Sequence, residues 1–570
     1  MKKLNLPYIP INKTIIVLIF VFIQFGILQA QWSNNPSSNL ILCQQGSPMS
    51  ARIAYSGEHY YITYFKRVNS NYCLHLQVLD FNGKPMFEGD GLVISNYRQK
   101  TTTLSELIVD LDGNVVVAFS DTRNEEYSDI SLYKMDVAGN QLWGEDGINF
   151  FIPGTNDAGP KMAVSPDNSI TVCFGSFNKI NTGAQMQMYL YRISENGILL
   201  WNSEPRIIKD EAYSFTPEGM MSCIDGSILL AYYFAVDIGL GVHIMVKKID
   251  CNGFDVWPKD LLISNRCLGG STRTITYVGE DGIFYLAWHA HGCADQPSAP
   301  YIQGITPDGN ILWPEPGVRI SEDRTHDQYH PVIQGLNSAG DIFVLWYTVS
   351  RPSGFTNLFG QFISQDGELK WGNDGIEIKE KFHPVFAYGS IVNDTAIVIY
   401  TDPVFNIDMF QAVKAIALDK DGSFCWPHEV VVNDLRTSKA VDGFTPIGNG
   451  QGVIVFREDD GILTAPRMVA QNIWTDGTIG LKTSATDPRE LNPEIRVFFR
   501  PDEGIIIDGL TRQCDIMIFN TLGQYLHQVK GVEMGSQFVK IDTLHWNPGI
   551  YFVKILQKEG KVTCSKVLIN

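Results

Sequence analysis

Two stretches of this 570-residue chain hold the side chains best suited to chemistry. The first is WHAHGCADQP, Trp288 to Pro297, where His289 and His291 stand two apart and Asp295 follows. Two imidazoles and a carboxylate form a ligand set for a metal such as zinc. Residues two apart in an extended strand also project from one face, so the same pair can cap a loop with no ion. The sequence favours the cap, and it predicts no metal and no organic cofactor. His326, Asp327 and His330, from a second loop, are expected on the same face as His289. The second stretch is SDTRNEEYSD, with Asp121, Arg123 and Asp129. These would contact a sugar or a peptide, or else form an Asp–Arg pair that simply fixes the loop, and the pair is the favoured reading. Adjacent acids such as Glu125-Glu126 and Asp459-Asp460 read as solvated faces, because a glycosidase needs two carboxylates that converge. No G-x-S-x-G elbow, H-E-x-x-H helix or phosphate-binding loop is present.

These residues are positioned by a repeat. An alternating strand, an acidic turn with Gly, and an aromatic four residues on recur as MDVAGNQLW, ISENGILLW, IDCNGFDVW, ITPDGNILW, ISQDGELKW and LDKDGSFCW, ending at Trp143, Trp201, Trp257, Trp313, Trp371 and Trp426. Weaker copies end at Phe87 and Leu481. The turn glycines run from Gly83 to Gly477 at intervals of 55 to 58 residues, a period that marks a repeat architecture. Halfway along each unit lies a second β-branched and aromatic run, as in EDGIFYLAWH and SAGDIFVLWY, bounded by turn signals. Four strands per unit describe the blades of a propeller. The first strand of a unit reads as a short one following a proline, as at Pro160 or Pro331. The repeated Trp reads as packing between neighbouring units. The last copy lacks its aromatic, while Trp32 and Leu40-Ile41-Leu42 near the N-terminus look like a stray fourth strand. That strand is expected to complete the final unit and remove an exposed sheet edge. The expected fold is all-β: an eight-bladed β-propeller followed by a small Ig-like β-sandwich.

Lys2, Lys3 and Lys13 precede the apolar run Ile15 to Ile23, and Ala30 closes the segment. This is the pattern of a secretory signal peptide, too short to span a bilayer. The expected divisions are a signal peptide at 1–30, a propeller at 31–484, a linker at 485–493 and a tail domain at 494–570. With 44 basic and 62 acidic residues the net charge is −18. Loss of the three leader lysines takes it to −21, while the tail from Leu491 is nearly neutral. An acidic ring lacks the basic footprint that nucleic acid requires and is repelled by anionic lipid. No membrane-spanning segment is expected in the mature chain.

The tail resembles the type A C-terminal sorting domain of the type IX (Por) secretion system of Bacteroidetes. The matching pieces are IMIFNTLGQYL with Gly523, the GIYFVKI strand with Gly549 and Tyr551, and the terminal KVLIN with Lys566. Where that family usually opens on a Pro-Asn-Pro box, this chain reads FFRPDEG. The resemblance implies a small seven-stranded β-sandwich that directs export by way of the periplasm, with the type IX machinery as partner. It also implies a final location in the medium or on the outer cell surface.

Export permits disulfides, yet the ten Cys are too scattered for a dense framework. Cys173 and Cys223, in apolar stretches, are expected as buried thiols. Cys267 with Cys293, on loops of one face, and Cys514 with Cys564, the two of the tail, are the candidate bridges. The function expected is that of a secreted or cell-surface propeller binding a glycan or a protein. The alternative is a secreted carbohydrate-active hydrolase or lyase with its site built from propeller loops.

Overall fold

The computed structural model describes residues 31–569, apart from 101–104, 125–126, 180–184, 238–240, 265–274, 280, 291–296, 350–355, 383–386, 393, 404–409, 446–447, 449, 460–465, 483–495, 501–503, 509–513, 521–524, 533–537, 544–545, 547–548 and 558–561. The chain divides into two compact units, one ending at Leu481 and the other beginning at Lys482. A single 3-10 turn, Trp201–Ser203, interrupts the strands among the described residues.

The first unit is a succession of antiparallel meanders. Six four-stranded sheets, each built from consecutive strands, are joined by one seven-stranded sheet. The long strand Val430–Phe444 explains the odd member: its first part pairs with Gln411–Leu418 and its second with Gln451–Asp459, so two meanders share it. The first strands of successive sheets touch one another around the unit, and the first sheet meets the last. This is a β-propeller-like fold. The second strands are apolar on both faces, as in Phe284–Ala290, because each sheet is covered on both sides by its neighbours.

The expected short first strands are longer than the prolines suggested. Pro160 and Pro331 lie inside the ten-residue strands Thr155–Val164 and Asp327–Leu336. Each sits where the register shifts, between Ala158 and Lys161 and between Tyr329 and Val332. A bulge tolerates the missing N–H of proline, so the strand bends without ending.

The repeated aromatic staples each sheet to the next. Phe87 lies over Gly139, Trp143 over Gly197, Trp313 over Gly367 and Trp426 over Gly477. The turn glycine has φ near +80° and no room for a side chain: a Cβ at Gly197 would stand 2.8 Å from the Trp143 ring. The indole N–H then donates to a carbonyl two residues before that glycine, at 2.9 Å from Trp143 to Glu195 and from Trp371 to Lys420. The N-terminus completes the series. Strand Leu40–Cys43 pairs with Arg467–Trp474, and Trp32 covers Gly83 of the first sheet while donating to the Phe81 carbonyl at 2.9 Å.

The second unit has a three-stranded sheet, Arg496–Arg500, Gly504–Asp508 and Phe538–Ile541. Its four-stranded sheet follows the order Tyr525–Val532, Cys514–Asn520, Gly549–Gln557, Val562–Ile569. Ile505, Ile507 and Ile541 of one share a core with Ile516, Ile518, Val553 and Ile555 of the other.

Candidate functional site

In each meander the second strand ends, and the third begins, on one side of the first unit; the short Gly turns lie at the opposite ends of the strands. His289 sits near the end of the second strand Phe284–Ala290 and is 1% exposed. Its ring meets Tyr329 at 5.3 Å and His330 at 5.2 Å, and His330 in turn meets Tyr347 at 5.2 Å. The backbone N–H of His330 points at His289 Nδ1, 3.5 Å away. His330 takes φ +51° at the bulge of the sixth sheet's first strand. That conformation is costly for a non-glycine residue and is often kept at functional positions. Tyr329, His330 and Tyr347 are each half-buried, so two imidazoles and two phenols share one partly open patch.

The other residues of that sequence constellation divide. His326 is exposed and turned to the Asp323 carboxylate, 2.8 Å from Nδ1. Asp327 uses Oδ1 to accept the Ser298 N–H at 3.0 Å. The structure therefore brings His289 to His330, while His326 makes its contacts with Asp323 and Thr325. His291 and Asp295 lie outside the described residues, as do Cys267 and Cys293. Among the described residues no three His, Cys, Asp or Glu side chains group to hold a metal ion. Tyr329 and Tyr347 were not singled out from the sequence. The available signal was positional, since Tyr347 follows Trp346 as His289 follows Trp288, and Trp346 and Trp288 pair with Phe359 and Tyr301, each eight residues before the turn glycine.

Asp121 and Arg123 form the loop-fixing pair. Asp121 is fully buried and accepts from Arg123 Nε at 2.7 Å, Gln99 Nε2 at 2.9 Å, Ser131 Oγ at 2.7 Å and the Arg123 N–H at 2.9 Å. Arg123 also reaches Tyr133 Oη at 3.0 Å and the Asp146 carbonyl at 3.1 Å, with its guanidinium 4.0 Å above the Tyr97 ring. Every lone pair of the acid is engaged within the protein, which leaves nothing to offer a ligand.

A second acid pair lies on the same side of the sheets and was not anticipated as a unit. Asp157, at the start of the third sheet's first strand, is fully buried, and Asp129, at the start of the second sheet's third strand, is 1% exposed. Burial pushes the Asp157 carboxyl up to about 7, and the nearby charge of Asp129 adds to the rise. Burial raises Asp129 to about 6, against a hydrogen bond from Asn124. Asp157 Oδ1 accepts from Thr155 at 2.9 Å, whereas Oδ2 has no well-formed hydrogen bond. Its backbone N–H bonds the Ser128 carbonyl just as Gln328 bonds Ser298 and Phe215 bonds Met186. A carboxylic acid thus stands where other repeats place an amide or an apolar ring.

In the second unit Gly549 and Tyr551 open the strand Gly549–Gln557, and Lys566 pairs with Phe552 from the last strand. Tyr551 is 7% exposed with its ring 5.1 Å from Trp546. Gly523 lies outside the described residues. The proposed Cys514–Cys564 bridge is contradicted: Cys514 is a buried free thiol. The strand Gly549–Gln557 runs between them, with Cys514 opposite Gln557 and Cys564 opposite Lys554. Two strand spacings, about 9.5 Å, exceed the roughly 7 Å that a disulfide can span between Cα atoms. Cys173 and Cys223 are buried free thiols, as expected.

Residues 498–570 match the family model of the secretion system C-terminal sorting domain. The tail is a type IX sorting domain. It sends the protein to the cell surface or the medium through the type IX machinery. No helix among the described residues is long and apolar enough to cross a membrane. No curated protein sequence matches the chain. Among solved structures, a PL25 ulvan lyase is similar at 10% identity and TM-score 0.40, over 65% of this chain and 92% of that one. A lectin from Burkholderia pseudomallei is similar at 12% identity and TM-score 0.42, over 68% and 99%. A Hadza microbial sialidase gives 13% identity and TM-score 0.34, over 72% and 76%. Likenesses this loose carry no argument about ligand or reaction.

Proposed function

We propose that this is a secreted or cell-surface binding protein: an eight-bladed β-propeller that takes a glycan or protein ligand on its loop-bearing face, followed by an Ig-like sandwich that serves export. Residues 1–30 are a signal peptide removed after Ala30, 31–484 the propeller, 485–493 a linker and 494–570 the sorting domain. The observation that carries the binding reading is the patch of His289, Tyr329, His330 and Tyr347. Aromatic rings offer flat apolar faces with polar edges, a combination suited to sugar rings and to peptide side chains. The other loop pair considered, Asp121 and Arg123, is spent on itself. The test is a glycan array on the purified mature chain together with a panel of polysaccharides. Binding that falls when Tyr347 is changed to Ala, with no sugar released from any polysaccharide, is the expected result.

The second reading, a carbohydrate-active hydrolase or lyase, draws on Asp129 and Asp157. Two carboxyl groups raised to about 6 and about 7 titrate where a general acid and a general base must. Release of reducing ends from any polysaccharide, lost in Asp157→Asn, would put this reading in place of the first.

A further inference from the structure

The turn that follows the third sheet's third strand differs from its counterparts. After Phe87, Trp143 and Trp371 the left-handed positions are taken by glycines, Gly89 and Gly91, Gly144 and Gly147, Gly372 and Gly375. The third repeat reads Trp201-Asn202-Ser203-Glu204-Pro205 and has no glycine there, as is also true after Trp257 and Trp426, whose turns take no positive φ. Trp201, Asn202 and Ser203 themselves adopt φ of 58°, 58° and 63°. L side chains disfavour this region, an indole more than an asparagine. Trp201 still lies over Gly253 of the next sheet. Trp143, Trp313, Trp371 and Trp426 are buried, whereas Trp201, like Trp257, is half-buried, and Trp201 borders a cavity of about 660 Å³.

The cavity is lined by Trp201, Asn202, Glu204 and Arg206 on one side and by Asn252 and Phe254 of the next sheet's turn on the other. Its walls are held in place. The Trp201 N–H donates to the Cys251 carbonyl at 2.9 Å, and Arg206 is paired with Asp255 at 2.8 Å. Lys247 also approaches Asp255, at 3.4 Å. Lys247 lies closer still to Asp260, at 2.8 Å, so Glu204, Asp255 and Asp260 outnumber Arg206 and Lys247 by one, and the site has no spare positive charge with which to hold an anion. It offers an indole, a phenyl ring 68% exposed, and two carboxamides that both donate and accept. An occupant must present flat C–H faces to the rings and neutral hydroxyls to the amides.

We propose that this cavity is a separate ligand site for a neutral pyranose ring, at the opposite ends of the strands from the His289 patch. It does not depend on the loop-face reading. The test is calorimetric titration of the full secreted chain with cellotetraose and maltotetraose, and with trigalacturonate as an anionic control. At least one neutral tetrasaccharide binds saturably, and trigalacturonate binds at least about tenfold more weakly, the measure of a site without spare positive charge. Phe254→Ala, at an exposed ring, weakens binding by about fivefold. Asn202→Gly removes the amide and relieves the left-handed backbone, so affinity falls while the melting temperature does not. Tyr347→Ala leaves this binding unchanged, which separates it from the loop-face site. The proposal is overturned by the absence of saturable binding at about 10 mM sugar, where a millimolar site would be mostly filled. It is equally overturned if both variants bind like the parent, or if trigalacturonate binds as well as the neutral sugars.

Discussion

At the scale of single residues, burial decides what each ionisable group does. Asp121 and Asp157 are both fully buried, yet the first is saturated with donors and the second is not. Asp157 therefore keeps its proton up to about pH 7, while an unfolded carboxyl loses it near pH 4. The folded value is the higher, so the stabilising contribution is fully present below about pH 4 and is lost as pH rises toward 7. Asp157→Asn removes the ionisable proton and keeps the shape. The variant should match the parent in urea unfolding at pH 4 and exceed it at pH 8, by roughly 2–4 kcal/mol. Equal pH dependence in the two proteins would refute the assignment. The Asp121–Arg123 pairing was legible from residue types two apart. The partnership of His289 with Tyr329, His330 and Tyr347 was not, because it arises between two sheets, at a bulge that no local pattern announces.

At the scale of elements, stability rests on the aromatic staples and on the closing strand. Trp32 is 2% exposed and does for the last sheet what Trp143 or Trp371 does for earlier ones. Changing Trp32 to Ala should cost about 3–5 kcal/mol, the range for deleting a buried aromatic, read as a fall in the urea midpoint. A loss under about 1 kcal/mol would show that the closing strand holds without its Trp. The sequence announced this element through a missing aromatic at Leu481 and a spare one at Trp32. It misled on the first strands, where Pro160 and Pro331 looked like boundaries and proved to be bulges. Proline forbids one hydrogen bond, and the neighbouring strand decides whether that ends the pairing.

At the scale of the whole molecule, the chain forms two units, and the second carries the sorting domain that directs export. Deleting 491–570 should leave the first unit folded and hold it in the periplasm, as measured by fractionation and by thermal unfolding of the truncated chain. Normal secretion of the truncation would refute the role of the tail. The sequence by itself determined the all-β class, the repeat and its period, the closing strand and the sorting tail. Each of these is written in local alternation, turn chemistry or regular spacing along the chain. Only the tertiary structure decided that Cys514 stands a full strand away from Cys564, and that His289 meets Tyr329 and His330 of the next sheet. Those outcomes depend on distances between segments tens to hundreds of residues apart, and the packing of one sheet on the next sets them.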